Sequence, residues 1–192
     1  MGSLSVDSVN LLLHPLRLRI VHAMSGRRTL TPTQLSARLP DVSRTSLYRH
    51  VGLLADAGVL TVDGEQRVRG VVERSYRLNW ERAAIDADMA ASMSPEDHRR
   101  GFLAAMAALL AEFNAYLDRD DADPVADSVG YRQLTLWLSK DELTEIIDQL
   151  REILLSHANN QPTPDRSPHL LSPIVFPTEQ PFPTTAGNEN AR

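Results

Sequence analysis

Ser43-Arg44-Thr45-Ser46-Leu47-Tyr48-Arg49-His50-Val51-Gly52-Leu53-Leu54-Ala55-Asp56-Ala57-Gly58 is the stretch that decides how this 192-residue chain is read. Leu47, Val51 and Leu54 stand at i, i+4 and i+7, one buried stripe on an α-helix, and Gly58 suits the left-handed position that ends it. At about 100° per residue, Thr45, Arg49 and Asp56 point away from that stripe, with Ser46, Tyr48 and Gly52 on its shoulders. His50 falls near the edge of the core face, where packing or capping is the expected role. The outer face, with its hydroxyls and arginines, is the part that function would use.

On the N-terminal side, Thr31-Pro32-Thr33-Gln34 has the hydroxyl and amide spacing that satisfies the first free amides of a helix, and Pro40 ends that helix. A shorter helix from about Pro15 to Ser25 carries Leu16, Ile20 and Ala23 and stops at Gly26. On the C-terminal side, Val59 to Val62 reads as a short strand and Val71 to Leu78 as a second, joined by a polar, glycine-containing segment at 63–70. Three helices and a basic two-stranded ribbon make the pattern of a winged helix-turn-helix. The physics suits DNA, since short polar side chains at the start of the third helix fit the major groove and its positive dipole end favours phosphate.

Charge is distributed to match. Residues 1–80 hold eleven arginines against six acids, a net of +5, and the remaining 112 residues hold nine bases against nineteen acids, a net of −10. A polyanion would attract the first part and repel the second. The chain has no cysteine, which excludes disulfides, thiolate zinc sites and cysteine nucleophiles. No apolar run approaches the roughly 20 residues of a bilayer span, and residues 1–10 lack the features of a signal peptide, so a cytoplasmic protein without a membrane partner is expected.

Beyond the ribbon, Ser94-Pro95-Glu96-Asp97 and Ser139-Lys140-Asp141-Glu142 start two more helices. The first runs to about Asp118, with Phe102, Met106, Leu109, Phe113 and Tyr116 at 4-3-4-3 spacing and Leu103, Leu110 and Leu117 as a neighbouring stripe. So wide an apolar face calls for a partner, supplied either by a second copy of the chain or by the helix at 139–157, whose Leu143, Ile146, Ile147, Leu150, Ile153 and Leu154 are expected to be buried. Between the helices, Tyr131 to Leu138 alternates as a strand does, and Leu170 to Phe176 reads as an edge strand among prolines. The Asp-rich run 118–124 lacks the spacing of a calcium loop.

His14-Pro15-Leu16-Arg17-Leu18-Arg19-Ile20, Leu35-Ser36-Ala37-Arg38-Leu39, the stretch from Ser43 to Leu60, and Arg69-Gly70-Val71-Val72-Glu73-Arg74-Ser75-Tyr76-Arg77-Leu78 together resemble the winged-helix domain of ArsR-type bacterial transcriptional regulators over residues 10–80. The resemblance implies a homodimer that binds double-stranded DNA at a palindromic or pseudo-palindromic operator and represses until an effector loosens it. By position it places Ser43, Arg44, Thr45, Ser46, Tyr48 and Arg49 on the recognition helix and Arg67, Arg69 and Arg74 on the wing. Metal-sensing members carry cysteines, or paired Asp/His and His/Glu groups on the dimer helix. This chain offers only Glu96, Asp97 and His98 at one helix end, so no metal or other cofactor is expected and any effector would be a non-metal small molecule.

No phosphate loop, HExxH, GxSxG or local catalytic grouping is present, so an enzyme is not expected. Trp80, Phe102, Phe113, Tyr131 and Trp137 are candidates for an effector pocket or, alternatively, for core. The fold class expected is mainly α with a small β component. It comprises a winged helix-turn-helix domain at 1–80, a helical dimerisation and regulatory region with a strand–helix–strand module at 81–177, and a disordered tail at 178–192. The rival functional class is a winged-helix module used for protein–protein contact, which salt dependence would separate from operator binding.

Overall fold

The computed structural model describes residues 11–26, 28–68, 71–83, 87–158, 160–161 and 163–179. Arg69, one of the expected wing arginines, and the tail from residue 180 onward lie outside the described residues. The order of elements is α1 (Pro15–Met24), β1 (Thr29–Leu30), α2 (Pro32–Arg38), α3 (Arg44–Asp56), β2 (Leu60–Val68), β3 (Val71–Leu78), α4 (Trp80–Ala83), α5 (Ala87–Ser92), α6 (Pro95–Leu117) and α7 (Lys140–His157).

The helix starts form where the capping chemistry places them. Thr31, Ser94 and Ser139 each accept from the backbone amide three residues on, while Gln34, Asp97 and Glu142 return the bond to the cap amide. The start of α1 uses a different device: His14 Nδ1 accepts from the Leu16 amide at 3.1 Å. Gly58 takes φ +71° after α3, so the chain turns directly into β2. Ile20 and Met24 of α1, Leu35 and Leu39 at α2, Leu47 and Leu54 of α3, and Leu60 of β2 are fully buried together, each contributing roughly 1.5–3 kcal/mol of burial.

The sheet is antiparallel in the order β1-β3-β2. β1 was not foreseen, and β2 continues to Val68 where a linker was expected from residue 63. Its polar stretch holds as strand because β3 pairs with it throughout: Glu65 faces Arg74, Gln66 faces Glu73 and Arg67 faces Val72, past a bulge between Val62 and Gly64. The Arg74 guanidinium donates to Glu65 at 2.8 Å, and Arg77 lies 3.6 Å from Asp63. Such a ribbon, wet on both faces, has no hydrophobic alternation to announce it.

Helix α6 lies against α1 through its small residues. Ala104 and Ala108 are buried, and a Cβ on Gly101 would stand 3.0 Å from a Leu13 methyl. One turn further along, Glu112 reaches Arg19 of α1 at 2.8 Å. Arg19 is only 4% exposed and also donates two bonds to Asp41, at 2.6 and 2.9 Å, in the turn just before α3. This ion triad ties α1, the helix-turn-helix turn and α6 together. The guanidinium holds the Asp41 carboxyl below its ordinary pKa.

Three expectations for the C-terminal part are corrected. Residues 131–138 and 170–176 form no strand, because no described segment supplies a ladder for them and Pro173 removes a donor from the second. Helix α7 buries none of its residues: Ile146, Ile147 and Ile153 are exposed, because the helix makes at most marginal contact with any other helix or strand of the chain. The chain does return to α6 at two points, where Tyr131 meets Phe113 edge-on and Phe176 meets Phe102. The acidic run after α6 is spent on its own turn, with Asp123 Oδ1 accepting from the amides of Val125 and Ala126.

Candidate nucleic-acid interface

The core fixes which side of α3 faces outward. With Leu47, His50, Val51 and Leu54 inside, Ser43, Arg44, Thr45, Tyr48 and Arg49 are exposed and Ser46 is half-buried. Ser43 is the N-cap, accepting from the Ser46 amide at 3.3 Å and leaving its hydroxyl proton to donate outward. The first turn of α3 holds no acid, so its free amides and positive dipole end stay open to an anion.

His50 carries the geometry behind Arg49. It is 2% exposed and its ring packs against that of His14, tilted by 41° with centroids 4.6 Å apart. Arg49 Nη2 donates to His50 Nε2 at 3.2 Å, so the neutral ring carries its proton on Nδ1, which is buried without a partner. Burial first, then His14, Arg17 and Arg49, push the His50 pKa down to about 4. Burial followed by Arg17 and Arg49 lowers that of His14. Both rings are therefore neutral at pH 7, and Arg49 is steadied by a neutral acceptor that leaves its charge uncancelled.

The same cluster shows a residue that sequence reasoning did not assign to the site. Burial, and then repulsion from the nearby Arg49 guanidinium, lower the pKa of Arg17 at the start of α1. Two arginines and the start of α1 thus share one corner beside the outer face of α3. The stretch from His14 to Ile20 contained Arg17, but only the crossing of α1 over α3 makes it a neighbour of Arg49.

On the wing, Arg67 and Arg74 are exposed. Arg74 is held by Glu65, whereas Arg67 pairs with no acid among the described residues. Arg44, Arg49 and Arg67 have no carboxylate partner among the described residues, so their charge is left uncompensated. Phosphate binding needs charge of this kind, uncompensated inside the protein.

The aromatic residues do not converge on one cavity. Phe113 and Tyr131 meet, but Trp80 lines a separate open cleft of about 400 Å³ with Thr61, Arg77, Leu78, Asn79 and Glu81, and Trp137 is exposed. Among the described residues no group of three His, Asp or Glu is placed to hold a metal ion. Likewise, no described helix is long and apolar enough to cross a membrane.

A search of curated proteins finds no match to the chain. Residues 12–63, from the end of the segment before α1 into β2, match the family model of a helix-turn-helix domain, which supports a DNA-binding regulator.

Proposed function

We propose that the chain is a sequence-specific transcriptional regulator of the ArsR-like winged-helix type, lacking metal ligands, that represses as a homodimer on a palindromic or pseudo-palindromic operator. The observation that carries the proposal is the outer face of α3: Arg44, Thr45, Tyr48 and Arg49 exposed on a helix whose opposite side is locked in the core. In this reading α3 enters the major groove, Arg49 reads guanine bidentately and Tyr48 meets phosphate or a thymine methyl. Arg67 and Arg74 grip backbone from the wing, joined by Arg69. Ser43, Arg44, Thr45 and Ser46 hold the helix start against phosphate or base edges.

Dimerisation runs along α6 through Phe102, Met106, Leu109, Phe113 and Tyr116, a stripe whose centre, Met106 and Phe113, lies on the opposite side of the helix from Ala104 and Ala108, and of which Phe102 and Phe113 also meet the chain's own Phe176 and Tyr131. The homodimer supplies one recognition helix to each half-site of the operator. Relief by a non-metal small molecule, in the cytoplasm, belongs to the same proposal.

Selection of binding sequences from a random duplex pool tests it, followed by titration of the enriched pool at two salt concentrations. A dyad-symmetric motif with a steep salt slope is the expected result. A folded dimer that enriches nothing would refute operator binding and favour a protein–protein role.

A further inference from the structure

Position 50 belongs to the buried stripe of α3, one turn after Leu47 and one turn before Leu54, and a leucine there would complete it. The chain instead buries an imidazole whose Nδ1 has no hydrogen-bond partner among the described residues. Buried polar groups are nearly always satisfied, and an unpaired one is worse for a core than an apolar side chain of similar shape. Packing therefore does not account for His50, and the work of its other ring nitrogen does.

Nε2 accepts from Arg49 Nη2 at 3.2 Å, and no carboxylate among the described residues competes for that guanidinium. The ring is itself held in place. It packs against His14, whose Nδ1 accepts from the Leu16 amide at the start of α1, so α1 buttresses the acceptor that α3 carries. Arg17, bonded through Nε to the Leu11 carbonyl, is the other cation that acts on the ring.

A guanidinium has five N–H donors in one plane, two on each terminal nitrogen and one on Nε. Two pairs of these lie parallel, Nη1 with Nη2 and Nη2 with Nε, and each pair uses a different Nη2 hydrogen. When His50 takes one of them, the other pair stays complete. The bond that steadies Arg49 thus leaves it a full bidentate edge. We propose that His50 is a positioning residue for sequence reading: its Nε2 sets the plane of the Arg49 guanidinium, so that a two-donor edge is already aligned when it meets guanine. The proposal rests on the reading in which α3 enters the major groove. Phosphate accepts a guanidinium in many orientations, whereas guanine O6 and N7 accept only an aligned fork, so the anchor acts on base preference more than on overall affinity.

The test titrates the full chain, as wild type, Arg49→Ala, His50→Leu and His50→Gln, with the duplex enriched by selection and with its single-base variants. The ratio of affinities at each position cancels any general loss of folded protein. We expect His50→Leu to lower preference about three- to tenfold at the base that Arg49→Ala also relaxes, the scale of ordering one long side chain. His50→Gln keeps a neutral acceptor and should restore most of that preference. Undiminished preference in His50→Leu would overturn the anchor and leave base reading by Arg49 standing. Equal losses in His50→Leu and His50→Gln would overturn it as well, because the acceptor would then not matter. If Arg49→Ala relaxes no position, Arg49 reads no base and the proposal falls with that reading.

Heteronuclear NMR of the imidazole nitrogens in the wild type gives a second arm that needs no substitution. At pH 7 His50 should be neutral, with its proton on Nδ1 and Nε2 bare. A proton on Nε2 would leave Arg49 without an acceptor and overturn the proposal.

Discussion

Stripping the carboxylates from Arg19 should harm the protein more than removing Arg19 itself. In the wild type the guanidinium is 4% exposed and divides its donors between Asp41, whose side chain is 50% exposed, and Glu112, at 28%. Asp41→Asn with Glu112→Gln leaves a buried cation without a counter-charge, the situation that costs about 3–5 kcal/mol. Arg19→Met fills the same space with an apolar chain and leaves two carboxylates that water can reach. Its cost should be about 2 kcal/mol, from lost charge-assisted bonds alone. The single substitutions should fall between about 1 and 3 kcal/mol, Asp41→Asn above Glu112→Gln, because Asp41 takes two of the three bonds.

Urea unfolding at pH 7, at one fixed protein concentration so that assembly does not shift the midpoint, measures all four variants. If Arg19→Met proves at least as damaging as the double substitution, desolvation of the guanidinium is not what the triad offsets. If every variant lies within 0.5 kcal/mol of wild type, about the scatter of surface substitutions, the triad contributes nothing.

Three further outcomes follow from the structure. Arg49→Ala should weaken operator binding by about 1–3 kcal/mol and relax preference at one base position per half-site, whereas Arg67→Ala should weaken all sequences alike and lower the salt slope; competition binding with single-base variants separates the two patterns. His50, at about 4 when folded against 6.5 unfolded, contributes stability that is complete above pH 6.5 and is lost as pH falls from 6.5 toward 4, since only the unfolded chain takes up the proton there. Melting temperature should therefore drop across that window, and His50→Gln should flatten the drop; an equal slope in both proteins would rule out His50 as the cause. Gly58→Ala should cost about 1–2 kcal/mol in chemical unfolding, because φ is +71°, a left-handed conformation that a Cβ disfavours.

How much the sequence disclosed depended on the kind of signal. The starts of α2, α6 and α7 were legible because Thr31, Ser94 and Ser139 carry reciprocal caps, a local code that needs no tertiary context. The outward side of α3 was legible because Leu47, Val51 and Leu54 leave only one orientation. The wing was underestimated because Glu65 and Arg67 stabilise β2 through cross-strand partners fixed only when β3 is in place. Alternation at 131–138 failed in the opposite way, since the pattern was there and no described ladder received it. On α6 the eye goes to phenylalanine and leucine, but the contact with α1 is made by Gly101, Ala104 and Ala108, whose value is how closely they let two backbones approach. At the candidate interface, the exposure of Arg44, Arg49 and Arg67 could be expected from position, while the closeness of Arg17 to Arg49 and the neutral His14–His50 pair needed the crossing of α1 over α3.

The Glu112–Arg19 contact also sets the smallest piece of this protein that can be transplanted. A fragment cut at residue 63, where the helix-turn-helix match ends, keeps α3 but loses β3, the strand that bonds to both β1 and β2. A fragment cut at residue 80 regains the sheet, yet uncovers the side of α1 that α6 shields and leaves Arg19 one carboxylate short, 32 positions upstream of Glu112. A graft meant to move this DNA-reading surface into another protein should therefore carry α6 through Leu117 as its lid. With the lid comes the proposed dimer seam, so under that proposal the spacing between two grafted recognition helices is inherited from this chain rather than chosen by the new host.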